Sequence, residues 1–253
     1  MKTLAVIPAR LAASRLPRKP LRLVGGVPLV VRVWERVSSL GVANDVVVAT
    51  DSDEIADTLR RVNAAVALTA ESHPSGTDRV AEVADLPRFA GFDVILNVQG
   101  DEPFVSAPAV RGATEVVTSG RFPLGTAAAP AAADALDQPS VVKVVTADDG
   151  RALYFSRAPI PWLRDATDAP ERSRIARQHI GVYAYTRDAL ATWVRLPPHP
   201  LERIERLEQL RPLAAGLAMG VASVNELPIG GVDTEDDLAR ANARWLELSA
   251  DRA

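Results

Sequence analysis

Short apolar runs alternate with amphipathic segments along the first half of the chain. The apolar runs have the length and the β-branched content of buried strands, and they are Leu4–Ile7, Val46–Ala49, Ala65–Leu68 and Val94–Val98. The segments between them repeat apolar residues at helical spacing, and they are Pro28–Leu40, Ser52–Val62 and Thr77–Leu86. This alternation predicts a parallel sheet with right-handed crossovers, which binds ligands at the carboxyl ends of its strands.

Local signals set the ends of several of these elements. We expect Pro8 to end the first strand, since proline has no N–H for a sheet ladder. Pro28 suits the first turn of its helix, and Gly41 suits the helix exit. Asp51, three residues before Glu54, resembles a capping box with aspartate as the cap.

The pattern changes after about residue 123. Val141–Thr146 and Arg151–Phe155 flank the turn 147–150, which predicts an antiparallel hairpin. A proline-containing loop then leads to a further strand, His179–Tyr185. We interpret residues 123–187 as a β-rich insertion, a lid or a dimer contact, within a single α/β domain that spans residues 1–253.

Helical signals return near the end of the chain. In Leu201–Arg211 the apolar residues recur on one face, at Leu201, Ile204, Leu207 and Leu210. A last helix is predicted over Thr234–Leu248, with Thr234 as its cap.

Composition narrows the class of protein. Of the 253 residues 47% are hydrophobic and 24% charged, which is typical of a globular protein. The net charge of −3 gives no general attraction to nucleic acid or to an anionic membrane, so we expect neither as a partner. The absence of cysteine excludes disulfides and thiol catalysis. No apolar stretch is long enough to cross a bilayer and no signal peptide is visible, so a cytoplasmic location is expected.

Lysine is scarce in a chain that is rich in arginine. It occurs only as Lys2, Lys19 and Lys143. Such a lysine can mark a position that needs a compact ammonium group rather than a planar fork, although codon bias also leaves a few lysines at random.

A cluster of cations follows the first predicted strand. Arg10, Arg15, Arg18 and Lys19 stand among small residues in a loop at the carboxyl end of that strand. The glycine fingerprint of dinucleotide-binding proteins is absent there. The loop therefore favours a polyphosphate ligand and nucleotidyl chemistry over hydride transfer.

Two acidic positions are candidate metal ligands. Asp101 follows the strand Val94–Val98 and a Gly100 turn, and Asp233 precedes the last predicted helix. Mg²⁺ takes one or two protein carboxylates and completes its shell with phosphate oxygens and water. The alternatives are an ordinary turn residue for Asp101 and a capping acid for Asp233.

The segment His73–Arg79 opens a predicted helix with small residues. Its free amides, with the hydroxyls of Ser75 and Thr77, suit hydrogen bonds to a base or a phosphate. The alternative is a simple helix cap formed by Thr77, with Arg79 in solvent.

Three further groups carry weaker signals. Strand alternation places His179, Gly181, Tyr183 and Tyr185 on one face, and Arg157 is a candidate partner for a carboxylate. Glu205, Glu208 and Arg211 recur on the polar side of the helix predicted over Leu201–Arg211. Structural histidines and tyrosines, surface arginines and a solvated helix face are the ordinary interpretations.

Together these segments closely resemble the 3-deoxy-manno-octulosonate (Kdo) cytidylyltransferase family, the CMP-Kdo synthetases. The resemblance runs in order along nearly the whole chain, through Val6–Leu21, His73–Arg79, Asn97–Pro103, Tyr154–Pro161, His179–Tyr185, Leu201–Arg211 and Gly231–Leu238. It implies a Rossmann-like nucleotide-diphosphosugar transferase fold and a homodimer formed largely through the insertion. It also implies the cytoplasmic reaction of CTP with Kdo to give CMP-Kdo and pyrophosphate, for lipopolysaccharide assembly, with Mg²⁺ as cofactor.

The resemblance also implies roles for individual residues. For the nucleotide they are Pro8, Ala9, Arg10, Lys19, Ser75, Gly76, Thr77 and Gln99, with Arg15 and Lys19 on the phosphates. For the sugar they are Arg79, Gln99, Arg157, His179, Tyr183 and Glu208. Asp101 and Asp233 would bind the metal, and Arg10, Arg15, Lys19 and Asp101 would form the catalytic set.

Other functions stay open from the sequence. CMP-sialic acid synthetase has the same fold and activates sialic acid, another 2-keto sugar acid. A cytidylyltransferase for an 8-amino analogue of Kdo is a further alternative, because this analogue differs from Kdo only at the sugar tail. A non-catalytic nucleotide-binding module is compatible with the fold, but it would not need Lys19, Asp101 and Asp233 together. A NAD-dependent oxidoreductase ranks lower, because Pro8-Ala9-Arg10 stands where its glycine fingerprint would be.

Overall fold

The fold, taken from a computed structural model that describes residues 1–12, 15–132, 135–226 and 229–250, is mixed α/β with a mostly parallel central sheet, as predicted. Its strands are β1 Thr3–Ala9, β2 Leu23–Val24, β3 Val27–Pro28, β4 Asp45–Thr50, β5 Ala65–Leu68, β6 Val94–Val98, β7 Leu124–Pro130, β8 Lys143–Thr146, β9 Ala152–Ser156, β10 Arg177–Thr186 and β11 Met219–Ser223. Its α-helices are α1 Leu29–Ser39, α2 Asp53–Arg60, α3 Gly76–Ala84, α4 Ala107–Thr118, α5 Ala169–Ile175, α6 Arg187–Arg195, α7 Pro200–Glu205, α8 Leu210–Ala214 and α9 Glu235–Ala250.

The chain divides into two compact units. The first, here the outer-segment unit, contains residues 2–92, 97–105 and 229–253. The second, here the central unit, contains Met1 and residues 93–96 and 106–228. Within the residues described, no helix combines the length and the apolar character needed to cross a membrane.

The outer-segment unit contains the predicted parallel strands. β4 pairs in parallel with β1 on one side and with β5 on the other. β1 runs past the predicted end, because Pro8 lies within it opposite Ala49. The fixed φ of proline is compatible with extended backbone, so the strand continues to Ala9.

Serine residues cap the N-termini of α2 and α3. The Ser52 hydroxyl accepts from the Ile55 amide at the start of α2, and the Ser75 hydroxyl accepts from the Asp78 amide at the start of α3. The prediction of Asp51 as a cap is therefore wrong, and so is the alternative of Thr77 as a cap. The exit of α1 is as predicted, because Gly41 has a φ of +62°.

The central unit combines both strand directions. β7 pairs antiparallel with β10 and in parallel with β11. The predicted hairpin is confirmed, because β8 and β9 pair antiparallel with Val144 opposite Phe155. β8 also pairs with β10, so the hairpin belongs to the same sheet.

The single helix predicted over Leu201–Arg211 is wrong. α7 ends at Glu205, because Arg206 adopts the left-handed conformation with a φ of +55°, and α8 begins at Leu210. Leu207 is buried whereas Ile204 is 79% exposed, so the four apolar residues share no face.

Arg211 is also unlike its predicted place on a solvated helix face. Its guanidinium is buried and donates to both carboxylate oxygens of Glu202, from Nε at 2.8 Å and from Nη2 at 2.6 Å. A paired, two-point contact of this kind satisfies a charge that burial would otherwise penalise.

Lys143 is fully buried in the central unit. Its Nζ donates to the backbone carbonyls of Gln138 at 2.9 Å, Val141 at 2.7 Å and Arg157 at 2.5 Å. Three acceptors around one point suit the three N–H bonds of an ammonium group better than a planar fork. Burial, with the charge of Arg157, lowers the pKa of Lys143.

Replacing the buried Lys143 with methionine is therefore expected to lower the free energy of unfolding by about 3 kcal/mol, because three backbone carbonyls lose a charged donor. Denaturant unfolding measures this change, with the exposed Lys2→Met as the matched control. Lys143→Arg is expected to restore only part of the loss. Equal unfolding midpoints for Lys143→Met and the control would contradict this interpretation.

Candidate active site

A cavity of about 300 Å³ opens at the carboxyl ends of β1 and β6 in the outer-segment unit. Parallel strands end at the same edge of a sheet, so their following loops meet there. The cavity is lined by Pro8, Ala9, Arg10, Ala12, Arg15, Leu16, Lys19, Pro20, His73, Pro74, Ser75, Gly76, Arg79, Gln99, Gly100, Asp101 and Asp233. Most of the residues predicted for the nucleotide, the phosphates and the metal therefore line one cavity.

Lys19 joins the two predicted acidic ligands. Its Nζ lies 2.6 Å from Oδ2 of Asp101 and 2.9 Å from Oδ1 of Asp233. Burial alone would lower the pKa of Lys19, but the carboxylates of Asp101 and Asp233 outweigh it and raise the pKa above its usual value. A cation and two carboxylates that lie 82 and 214 residues away in sequence thus form one charged centre.

The other cations of the loop divide between the cavity and the surface. Arg15 donates from Nη2 to Oδ2 of Asp233 at 2.9 Å, and Arg10 lines the cavity with an exposed side chain. Arg18 pairs with Glu54 instead and does not line the cavity. The polyphosphate interpretation therefore depends on Arg10, Arg15 and Lys19.

The donor set of this centre fits a hard divalent cation. Carboxylate oxygens of Asp101 and Asp233 both lie within 3 Å of the Lys19 ammonium, so they converge on one point. Among the described residues, no group of three or more His, Cys, Asp or Glu side chains could hold a metal ion. Two carboxylates are nevertheless what Mg²⁺ typically takes when phosphate oxygens complete its shell.

The loop before α3 forms a second wall of the cavity. Ser75 and Gly76 line it, whereas Thr77 lies buried within α3 and does not. His73 lines the cavity and contacts the carboxylate of Glu82, which also accepts from the Ala70 amide. No role was predicted for His73 beyond its place in the loop.

Close backbone contact explains the glycine after β6. A Cβ atom on Gly100 would lie 2.5 Å from the carbonyl oxygen of Pro8, closer than real Cβ atoms approach. The absence of a side chain therefore lets the turn that carries Gln99 and Asp101 lie against the end of β1.

Arg79 lines the cavity, but other groups of the protein already bind its guanidinium. It is 3% exposed, and its Nη2 donates to Oδ2 of Asp51 at 2.6 Å while Nη1 contacts the Thr69 hydroxyl. The alternative of Arg79 in solvent is therefore wrong. Its predicted contact with the sugar stays a prediction, since Asp51 and Thr69 already accept from two of its N–H groups.

Glu102 is a polar residue of the site that sequence reasoning did not single out. Burial, with the charges of Asp101 and Asp233, raises the pKa of its carboxyl to about 7. The signal was its position next to Asp101 in the Asp-Glu-Pro turn. This carboxyl adds less negative charge to the centre at neutral pH than an ordinary glutamate would.

The remaining residues predicted for the sugar belong to the central unit. The rings of His179 and Tyr183 lie 5.5 Å apart, and those of Tyr183 and Tyr185 stack at 6.3 Å. Burial, with the neighbouring Tyr185 and Glu208, raises the pKa of Tyr183 well above its usual value. The structure thus brings His179, Tyr183 and Glu208 together within this unit.

An irregularity in β10 preserves the predicted common face. Between Ile180 and Tyr183 the strand advances three residues while its partner advances one, from Ala127 to Thr126. β10 therefore has two extra residues at this point. Because side chains alternate with a period of two, the residues on either side of the irregularity keep the faces that simple alternation predicts. His179 and Tyr183 consequently project from the same face.

Arg157 is bound by backbone carbonyls in the central unit. Its guanidinium donates to the carbonyls of Glu205 at 2.8 Å, Pro139 at 3.0 Å and Arg206 at 3.4 Å. Its own amide donates to the Glu205 carboxylate at 2.8 Å. These contacts tie β9 to the end of α7, and the predicted role of Arg157 toward a carboxylate stays a prediction.

Comparisons with known proteins show the family of the chain. The family model described as cytidylyltransferase matches residues 4–220. The 3-deoxy-manno-octulosonate cytidylyltransferase of Gemmatimonas aurantiaca is 64% identical over 250 residues, which cover 99% of this chain and 96% of that protein. The enzyme of the same name from Herminiimonas arsenicoxydans is 47% identical, over 98% of this chain and all of that protein.

Solved structures give the same result. A CMP:2-keto-3-deoxy-manno-octonic acid synthetase complexed with CTP superposes with a TM-score of 0.90 at 35% identity, over 98% of this chain and 100% of that one. A 4-diphosphocytidyl-2C-methyl-D-erythritol synthase from Anaerococcus prevotii superposes with a TM-score of 0.61 at 14% identity, over 97% and 99%, and supports the fold alone.

The fold and the charged cavity define a cytidylyltransferase. Within that class, the chain belongs to the 3-deoxy-manno-octulosonate cytidylyltransferase family.

Proposed function

We propose that this chain activates Kdo by transfer of a cytidylyl group from CTP, releasing pyrophosphate and forming CMP-Kdo. One observation carries the proposal: Lys19 and Arg15 meet the carboxylates of Asp101 and Asp233 in a single cavity. The names of the relatives, which share nearly the full length of the chain, supply the substrates.

The reaction needs positioning and charge neutralisation rather than a covalent enzyme intermediate. The C2 hydroxyl of the sugar attacks the α-phosphorus of CTP in line, and the bond to the pyrophosphate oxygen breaks. Lys19, with Arg10 and Arg15, neutralises the negative charge that grows on the leaving pyrophosphate. These cations stand on a loop fixed by β1 and by the pairing with Asp101 and Asp233.

We propose Mg²⁺ as the cofactor, held by Asp101 and Asp233. When bound, it would supply Lewis-acid stabilisation of the phosphate oxygens. The convergence of two carboxylates beside the phosphate-binding cations supports this proposal. Lys19 would exchange its contacts with these carboxylates for contacts with the triphosphate.

The walls of the cavity suggest how the nucleotide is held. The backbone of Pro8 and Ala9, with Ser75, Gly76 and Gln99, would contact the cytidine, and Thr77 would contribute only through the backbone of α3. For the sugar we propose His179, Tyr183 and Glu208, with Arg79, Gln99 and Arg157 as further candidates.

We further propose that the product serves lipopolysaccharide biosynthesis in the cytoplasm, and that the chain acts as a homodimer. The family resemblance of the segment 123–187 supports the dimer, and its apolar side chains support it further. Trp162 is 78% exposed and Ile175 is 47% exposed. Sedimentation or light scattering at assay concentration tests this.

One assay separates the candidate functions. Pyrophosphate release is measured with each nucleoside triphosphate crossed against Kdo, 8-amino-Kdo and sialic acid, with Mg²⁺ present. We expect release with CTP and Kdo at a kcat/KM at least about tenfold above any other pair, because pocket contacts distinguish analogues by 1–3 kcal/mol. Preference for another acid would reassign the sugar, and binding of CTP with no release for any acid would favour a non-catalytic module.

A further inference from the structure

Thr126, on the neighbouring strand β7, contacts His179, one of the residues predicted to bind the sugar. Thr126 of β7 is paired with Tyr183 of β10, and its side chain is fully buried. Its Oγ1 lies 2.9 Å from Nε2 of His179. Thr126 was not singled out in the sequence.

The other contacts of Thr126 fix the direction of this hydrogen bond. Oγ1 lies 2.8 Å from the carbonyl oxygen of Val182 and 3.3 Å from that of Ile180, which the irregularity in β10 turns toward it. A carbonyl oxygen only accepts, and a threonine hydroxyl has a single proton. The proton is therefore directed to these carbonyls, and the hydroxyl oxygen accepts from Nε2–H of His179.

This assignment sets the form of the imidazole. In a neutral histidine with hydrogen on Nε2, Nδ1 is unprotonated and accepts a hydrogen bond. Nothing in the described part of the chain forms a hydrogen bond to Nδ1. Burial lowers the pKa of His179 to about 3, so the ring stays neutral at the pH of an assay.

We propose that Thr126 is a positioning residue that holds His179 in the Nε2–H tautomer and so leaves Nδ1 to accept a hydrogen bond from a sugar hydroxyl. The inference rests on the proposed function, because the hydroxyl donor is that of Kdo. It goes further by naming a residue that acts through His179 and the polarity of the contact.

The tautomer is measured by ¹⁵N NMR of the labelled chain without substrate. The chain has three histidines, so the imidazole signals are few, and His179→Gln identifies those of His179. We expect a protonated Nε2 and a bare Nδ1 in the native chain and in Thr126→Ser, which keeps the hydroxyl. In Thr126→Val, Nε2–H loses its acceptor and the Nδ1–H form gains population.

Kinetics then connect the tautomer with the substrate. In Thr126→Val we expect the KM for Kdo to rise about tenfold, with kcat and the KM for CTP within twofold, because one hydrogen bond to the sugar is lost. Thr126→Ser is expected to restore the native KM. Thr114→Val is the matched control, since the Thr114 hydroxyl is buried and donates to the Val110 carbonyl at 2.8 Å without contacting a histidine.

Two results would overturn the proposal: a bare Nε2 in the native chain, or a Thr126→Val chain that keeps the native KM for Kdo. The NMR result needs no substrate. Failure of the native chain to use any 2-keto sugar acid would instead refute the proposed function.

Discussion

Replacing Asp101 with asparagine is expected to lower kcat for CMP-Kdo formation by about 1000-fold or more, while the fold stays intact. The substitution keeps the size of the side chain but removes the charge that faces Lys19 at 2.6 Å and that would bind the cation. A thousandfold loss corresponds to about 4 kcal/mol of transition-state stabilisation, which is reasonable for one ligand of a catalytic metal. Continuous pyrophosphate release with CTP, Kdo and Mg²⁺ measures it.

The matched control for this variant is Asp148→Asn. Asp148 is exposed in the turn of the β8–β9 hairpin, so its loss of charge should change kcat by less than twofold. Thermal unfolding of both variants checks that the fold is kept. A kcat of Asp101→Asn within tenfold of the native value would refute the metal role of this carboxylate.

The second large effect is expected at Lys19. Lys19→Met should lower kcat/KM for CTP by about 100-fold to 1000-fold, because the leaving pyrophosphate loses a fixed cation in a partly buried site. The Kd of CTP should rise as well, since the same ammonium would contact the triphosphate in the ground state. Steady-state kinetics and calorimetric titration with CTP measure the two effects.

Two further variants test whether the charge of Lys19 or its shape matters. Lys19→Arg keeps the charge but replaces a point cation with a planar fork, so we expect partial recovery of kcat/KM. Lys2→Met removes an exposed lysine and should behave as the native chain. Unchanged CTP kinetics in Lys19→Met would show that the phosphates bind elsewhere.

The sequence predicted the architecture where local signals decide it. The short apolar runs located β5 and β6 at their observed bounds and placed β1 and β4 within two residues. The common face of His179 and Tyr183 also followed from alternation, and it survived because the irregularity in β10 adds two residues rather than one. The distribution of apolar residues predicts such elements well, because burial of a strand or of one of its faces determines which of its residues are apolar.

The errors arose where a single backbone angle or a distant partner decides the outcome. The left-handed conformation of Arg206 breaks the helix predicted over Leu201–Arg211, and no periodicity signals it. Asp51 is not a cap because Arg79, 28 residues later, takes its carboxylate. Partners of this kind come from the tertiary fold and outweigh local propensity.

The residues of the candidate site were likewise predicted only in part. The sequence supplied the chemistry of Lys19, Asp101 and Asp233, but their separation along the chain gave no distance between them. It also gave no sign that the donors of Arg157 are committed to backbone carbonyls, or that Thr126 faces His179.

The central claim is that one cavity holds the triphosphate between the cations of the first loop and the carboxylates of Asp101 and Asp233. A crystal structure of the chain grown with CTP and MgCl₂ tests it most directly. The account predicts phosphate oxygens within hydrogen-bond distance of Lys19 Nζ, and a cation that both carboxylates coordinate. CTP bound outside this cavity, or a cation held by neither carboxylate, would contradict the account.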